Sequence, residues 1–196
     1  LGRLQHEDAR ERTVRSMMAR YQVDKKQAKR VASTAADLYA QHKAERGFSR
    51  KLAGNKLDWA ATLHEIGLAI SHDGYQRHGA SIAEHADMPG LPRAEQRYLA
   101  ALIGGQRHRI TRAEFERLPE TGQEAGLRLL MILRLAVLLN RSRKKLSHIP
   151  VRLRAGADSL SISFDADWLA ENPLTIADLE REQAFLEQVG YTLNIL

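Results

Sequence analysis

Cysteine is missing from this 196-residue chain. Its absence excludes disulfides and thiolate metal sites, and it fits a reducing, cytoplasmic setting. Aromatic residues make up only 6%, and none is interleaved with the basic clusters. Single-stranded nucleic acid, which stacks on aromatic platforms, is thereby disfavoured, and no nucleic-acid partner is expected. No apolar run approaches the roughly eighteen residues of a membrane span, which leaves peripheral contact with a membrane surface at most. There is no basic-then-apolar leader, so secretion is not expected. The chain opens on Leu1-Gly2-Arg3 rather than Met, and a piece of a longer protein is expected. Also absent are a glycine-rich phosphate loop of P-loop or dinucleotide type and a nucleophile elbow.

What is present describes one good core plus a small appendage. Hydrophobic residues stand at 43% and charged residues at 28%, ordinary values for a globular protein. The net charge of +6 is unevenly spread: residues 165–196 hold seven acids against Arg181, a net of −6, which leaves +12 on the first 164 residues. A field of that size favours a polyanionic partner, although any single Lys or Arg more often solvates a helix face.

Helical periodicity dominates the first three quarters. Val14, Met17, Met18 and Tyr21 mark a helix over 7–21. Asp24 is placed to cap a second helix with Ala28, Val31, Ala32, Ala35 and Tyr39 on its buried stripe. After a basic loop holding Gly47, a helix is expected from Leu57 to Ile70, another from His78 to Ala86, and another from Glu95 to Gly104. Thr111-x-x-Glu114 has the pattern of a capping box for a short helix. Gly122 to about Asn140 is the most apolar segment; interrupted by Arg128 and Arg134, it reads as a central core helix.

The pattern changes at Ser147-His148-Ile149-Pro150. Val151–Arg154 and Leu160–Phe164 alternate with period two around a turn at 156–158, a β-hairpin signature. Trp168 is expected to start a short helical turn. Thr175 is expected to cap a helix with Ile176, Leu179, Leu186 and Val189 on its apolar face, ending at Gly190. Residues 191–196 alternate as a last strand. The fold expected is mainly α, with a helical body over 1–147 and a small β-β-α-β subdomain over 148–196.

The most informative stretch is Trp59-Ala60-Ala61-Thr62-Leu63-His64-Glu65-Ile66-Gly67-Leu68, continuing through His72 to Arg77-His78-Gly79-Ala80 and Asp87-Met88-Pro89-Gly90. It resembles the HD superfamily of helical, metal-dependent phosphohydrolases. More closely, it resembles the C-terminal region of the exopolyphosphatase / guanosine pentaphosphate phosphohydrolase family. Leu133–Asn140 and the tail around Asp178-Leu179-Glu180-Arg181-Glu182 extend the likeness over nearly the whole chain. The resemblance implies an HD-like helical bundle.

HD enzymes hold their metal with four positions, which the resemblance carries to Gln27, His64, Glu65 and Val137 in this chain. A neutral amide is a poor ligand, Glu65 is one methylene too long, and Val137 cannot ligate. Asn140 stands where related sequences have a further Asp. A degenerate site is expected, with no metal and no catalytic residue in the chain itself. The counter-reading is that His72, His78, His85 and His108 rebuild a metal site. As neighbours on a helix, His64 and Glu65 are also expected to point about 100° apart and not to face one substrate together.

Basic clusters supply the binding candidates. Arg107, His108 and Arg109 follow Gly104-Gly105, and Arg141, Arg143, Lys144 and Lys145 end the core helix. Arginine forks two hydrogen bonds onto phosphate, and lysine adds point charge. The resemblance implies that such a region holds inorganic polyphosphate and takes part in a homodimer. It also implies that Mg2+ and the phosphate-splitting site belong to an actin-like N-terminal domain that this chain does not contain. The reading preferred on sequence is the polyphosphate-binding portion of an exopolyphosphatase. The alternatives are the matching region of a guanosine pentaphosphate phosphohydrolase, a self-contained HD-type nucleotide phosphohydrolase, or a dimerisation scaffold.

Overall fold

Apolar stripes at helical spacing bury themselves against one another, and the result in the computed structural model is a helical body carrying a three-stranded sheet. The structure describes residues 2–42, 50–145 and 151–196. The cations Lys43 and Arg46, Gly47 and the segment Ser147-His148-Ile149-Pro150 lie outside the described residues. Helices α1 (Gly2–Arg20), α2 (Lys25–Gln41) and α3 (Arg50–Leu63) come first. A 3-10 turn (Ile66–Ala69) follows, then α4 (Tyr75–His85), α5 (Arg93–Gly105), α6 (Arg112–Glu116) and α7 (Glu120–Leu139). The last quarter is β1 (Val151–Ala155), β2 (Ser159–Phe164), α8 (Ala166–Glu171), α9 (Pro173–Glu187) and β3 (Thr192–Ile195).

The mainly helical class with a small C-terminal sheet is as the sequence indicates. Asp24 caps α2 by accepting from the amides of Lys26 (2.9 Å) and Gln27 (3.1 Å). The sheet order is β1-β2-β3, with β1 and β2 antiparallel and β2 and β3 parallel. Helices α8 and α9 make the crossover between the parallel pair, as such a connection requires. Helix α7 is buried continuously from Gly126 to Ala136 and again at Leu138 and Leu139. No helix among the described residues is long and apolar enough to cross a membrane.

Several local expectations fail for physical reasons. Helix α3 stops at Leu63 rather than running to Ile70. Gly67 is pressed so close to the Tyr75 carbonyl and the Gly79 amide that a Cβ there would overlap backbone; α4, which begins at Tyr75 and not at His78, packs directly on the 3-10 turn that follows α3. Thr111 makes no side-chain cap bond, and Glu114 pairs with Arg117 instead (3.2 Å), so the capping box is not formed. Helix α9 starts at Pro173, where proline's fixed φ suits a first turn, rather than at a Thr175 cap. Ile176, assigned to its apolar face, is 41% exposed.

The two arginines of α7 do not reach solvent as interruptions of an apolar helix usually do. Arg134 is buried and forks onto the Glu182 carboxylate of α9, while also donating to the Gly105 and His108 carbonyls. Arg128 donates to the carbonyls of Gly156 and Ala157 in the hairpin turn. On the other side, the Gln41 side chain bridges α2 to β1 by bonding Val151 O (3.2 Å) and Leu153 N (2.8 Å). Removing one partner of a buried pair strands the other charge. Glu182→Ala is expected to lower the denaturant unfolding free energy by about 3 kcal/mol, whereas Arg117→Ala, which breaks the exposed pairs to Glu84 and Glu114, leaves the midpoint where it was.

Candidate functional site

The break after Leu63 builds the site. His64 and Glu65 form the turn between α3 and the 3-10 segment, and Glu65 takes φ −102° and ψ 8°, outside the helical basin. Both side chains consequently face one cavity of about 480 Å³, with His64 Nε2 3.8 Å from Glu65 Oε1. The expectation that they diverge by 100° is corrected on that ground: it assumes a helix that has already ended. Gln27 from α2 and Val137 from α7 line the same cavity, so all four positions carried over from the HD pattern converge.

Their chemistry does not fit a divalent cation. Both Glu65 oxygens are taken by Arg143, whose guanidinium donates at 2.7 Å and 3.0 Å. The second of these nitrogens also donates to Asp24 Oδ2 at 3.1 Å. Gln27 spends its amide nitrogen on the Asn140 carbonyl (3.0 Å) and its oxygen on Arg30 (2.9 Å). Val137 is aliphatic. Asn140, buried, donates to Thr34 Oγ1 and Ala136 O, both at 2.8 Å, and so ties the end of α7 to α2. Among the described residues, no group of three or more His, Asp or Glu side chains is arranged to share an ion. Of the other histidines, His72 and His108 line the cavity, but His78 and His85 on α4 do not.

Charge in the cavity is organised by these contacts. Amide donation from Gln27, and then the Arg143 guanidinium, hold the Asp24 carboxyl below its usual range. The Glu65 carboxylate raises Arg143 further above its ordinary value. Burial pushes His64 down, only partly offset by the Glu65 carboxylate, and His64 Nδ1–H donates to Ala61 O at 2.6 Å. The ring is therefore neutral with Nε2 as an acceptor.

The cationic candidates divide. Arg107, His108, Arg141 and Arg143 line the cavity; Arg109, Lys144 and Lys145 are exposed and do not. Arg107 lies over the Tyr75 ring, 4.8 Å from its centroid. Arg141 meets Asp178 at 2.5 Å, and Arg181 approaches the same carboxylate at 3.8 Å. His108 and Arg143 both have left-handed backbones, φ 59° and 57°. Gln106 and Phe185, which sequence reasoning passed over, and Asp178, Arg181 and Glu182, which it quoted for the resemblance but not as site candidates, are all on the cavity wall. One signal was readable: an arginine inside the most apolar helix demands a buried acceptor, and Glu182 is that acceptor.

A family profile described as Ppx/GppA phosphatase, domain III, matches residues 9–183. A Vibrio cholerae protein named guanosine-5'-triphosphate,3'-diphosphate pyrophosphatase is 38% identical over 195 residues, covering 98% of this chain and 38% of the relative. Proteins of the same name from Vibrio atlanticus and Aeromonas hydrophila are 38% and 33% identical, each over 96% of this chain and 38% of their own length. The chain thus spans 38% of the length of these relatives.

The depressed His64 sets a pH dependence. The folded state holds His64 neutral, whereas the unfolded chain protonates it near its ordinary value of about 6.5. Its contribution to stability is complete above that value and is lost as pH falls through the lower folded value. The melting temperature is expected to drop as pH falls below about 6.5, and His64→Gln is expected to flatten that drop in a thermal scan across pH.

Proposed function

The chain belongs to the Ppx/GppA phosphatase family, and from that premise we propose that it is the non-catalytic, phosphate-holding C-terminal portion of a guanosine pentaphosphate phosphohydrolase. The relatives' names favour this branch over the exopolyphosphatase branch that the sequence alone put first. Phosphate splitting, and the magnesium it uses, are assigned to the region of the longer relatives that this chain does not cover.

One observation carries the reading. At the place where an HD enzyme would hold an ion, a guanidinium is already seated on the carboxylate, and further arginines stand around the opening. A site so arranged offers charge to phosphate oxygens without a metal bridge. Among the described residues no carboxylate pairs with Arg107, which lies over the Tyr75 ring. Arg141 and Arg181 share the single carboxylate of Asp178, so their combined charge exceeds what Asp178 neutralises. Forked arginine contacts suit a chain of phosphates, whose binding weakens as salt competes.

Inorganic tripolyphosphate is expected to bind the 196-residue chain, with affinity falling roughly tenfold between about 50 and 200 mM salt. Arg107→Ala and Arg141→Ala are each expected to weaken it by about 1 kcal/mol in calorimetric titration. Binding indifferent to salt and to both substitutions would leave only a scaffold. Phosphate release by this chain alone, with stoichiometric bound metal, would make it a self-contained HD-type hydrolase.

A further inference from the structure

The turn that follows α3 lies half in the core and half outside it. Ile66 and Gly67 are buried, and Gly67 is wedged against the backbone of α4. The next three residues, Leu68, Ala69 and Ile70, are all exposed, Leu68 by 36% and Ile70 by 59%. Single exposed aliphatics are ordinary on a protein surface. Three in succession on one short turn are a fault in a freely solvated surface unless something covers them. The tip is also prepared for a dry setting. The amides of Leu68 and Ile70 donate to Glu65 O and Gly67 O, both at 3.0 Å, and that of Ser71 donates to Gly67 O at 3.2 Å. Covering the tip strands none of these donors.

What stands beside the tip decides the cover. Leu68 lines the cavity together with five arginines and three acids. Arg143 answers Glu65, Arg134 answers Glu182, and Arg141 answers Asp178. Arg107 and Arg181 are in surplus, and the side chains of Arg141 and Arg181 are 62% and 74% exposed. Asp73, at the end of the turn, offsets part of that surplus. A stable protein interface takes roughly 800 Å² from each partner, far more than a three-residue tip supplies. A bilayer asks only for an apolar tip that dips just below the headgroups, with cations level with the phosphates. We infer that this face docks on an anionic phospholipid membrane, with Leu68, Ala69 and Ile70 entering the acyl boundary and the rim arginines meeting phosphodiester oxygens. The inference goes beyond the phosphate-holding reading and shares with it only those arginines.

Vesicles of equal parts phosphatidylglycerol and phosphatidylcholine, and vesicles of phosphatidylcholine alone, are the probes for the 196-residue chain, with tripolyphosphate titrated in parallel. In flotation, the chain is expected to rise with the anionic vesicles only. Ile70→Ser is expected to weaken that attachment about tenfold, the worth of one aliphatic side chain. It leaves tripolyphosphate affinity where it was, since Ile70 does not line the cavity. Ile70→Trp, an exchange at an exposed position, is expected to move its emission to the blue on the anionic vesicles. Attachment that Ile70→Ser leaves untouched, with no blue shift, would reduce the contact to adsorption of charge and overturn the inference. Equal attachment to both vesicle types would overturn it as well, because the arginines would then play no part. So would a blue shift that grows with protein concentration before lipid is added, which gives the tip to a second copy. Tripolyphosphate binding without vesicle binding would sink the lipid partner and leave the phosphate-holding reading intact. Failure of both probes would remove the inference and the reading together.

Discussion

A carboxylate enclosed beside a neutral imidazole has to be answered by positive charge, and here the answer is covalently part of the chain. Arg143 forks onto Glu65 and reaches Asp24 with the same guanidinium. Asp24 in turn caps α2, so one cation joins the turn after α3, the start of α2 and the end of α7. An ion at such a place would exchange with solvent and depend on its concentration. A guanidinium does neither, and it arrives with its geometry fixed by a left-handed backbone at Arg143. Gln27 and Val137 beside it offer an amide already engaged with Asn140 and Arg30 and an aliphatic side chain, and both Glu65 oxygens are occupied by Arg143.

Much of the body could be read from residue order alone. The stripes of α2 and α7, the Asp24 cap, the hairpin and the existence of a last strand all follow from local pattern, because each is decided by neighbours within a few residues; that β3 returns parallel to β2 is not. The four HD-like positions were also legible, and they do surround one cavity. The end of α3 was not. It is followed by a close backbone approach of Gly67 to Tyr75, which periodicity does not register, and the facing of His64 and Glu65 goes with the break.

The pairings that complete the cavity were illegible for a related reason. Arg134 and Glu182 are 48 positions apart, and Arg143 and Glu65 are 78 apart. Nothing in either segment marks which acid answers which base. Seven basic residues were singled out by clustering, but the cavity receives only Arg107, His108, Arg141 and Arg143 of them. Adjacency in sequence sends Arg109, Lys144 and Lys145 to other faces.

Glu182 belongs both to the cavity wall and to the seat of α9 on α7, and Arg134 holds it while also gripping the Gly105 and His108 carbonyls. The ion pair that closes one side of the cavity is thus the same one that seats the crossover helix, and Gln183 of that helix in turn donates to the Leu193 carbonyl of β3 at 2.8 Å.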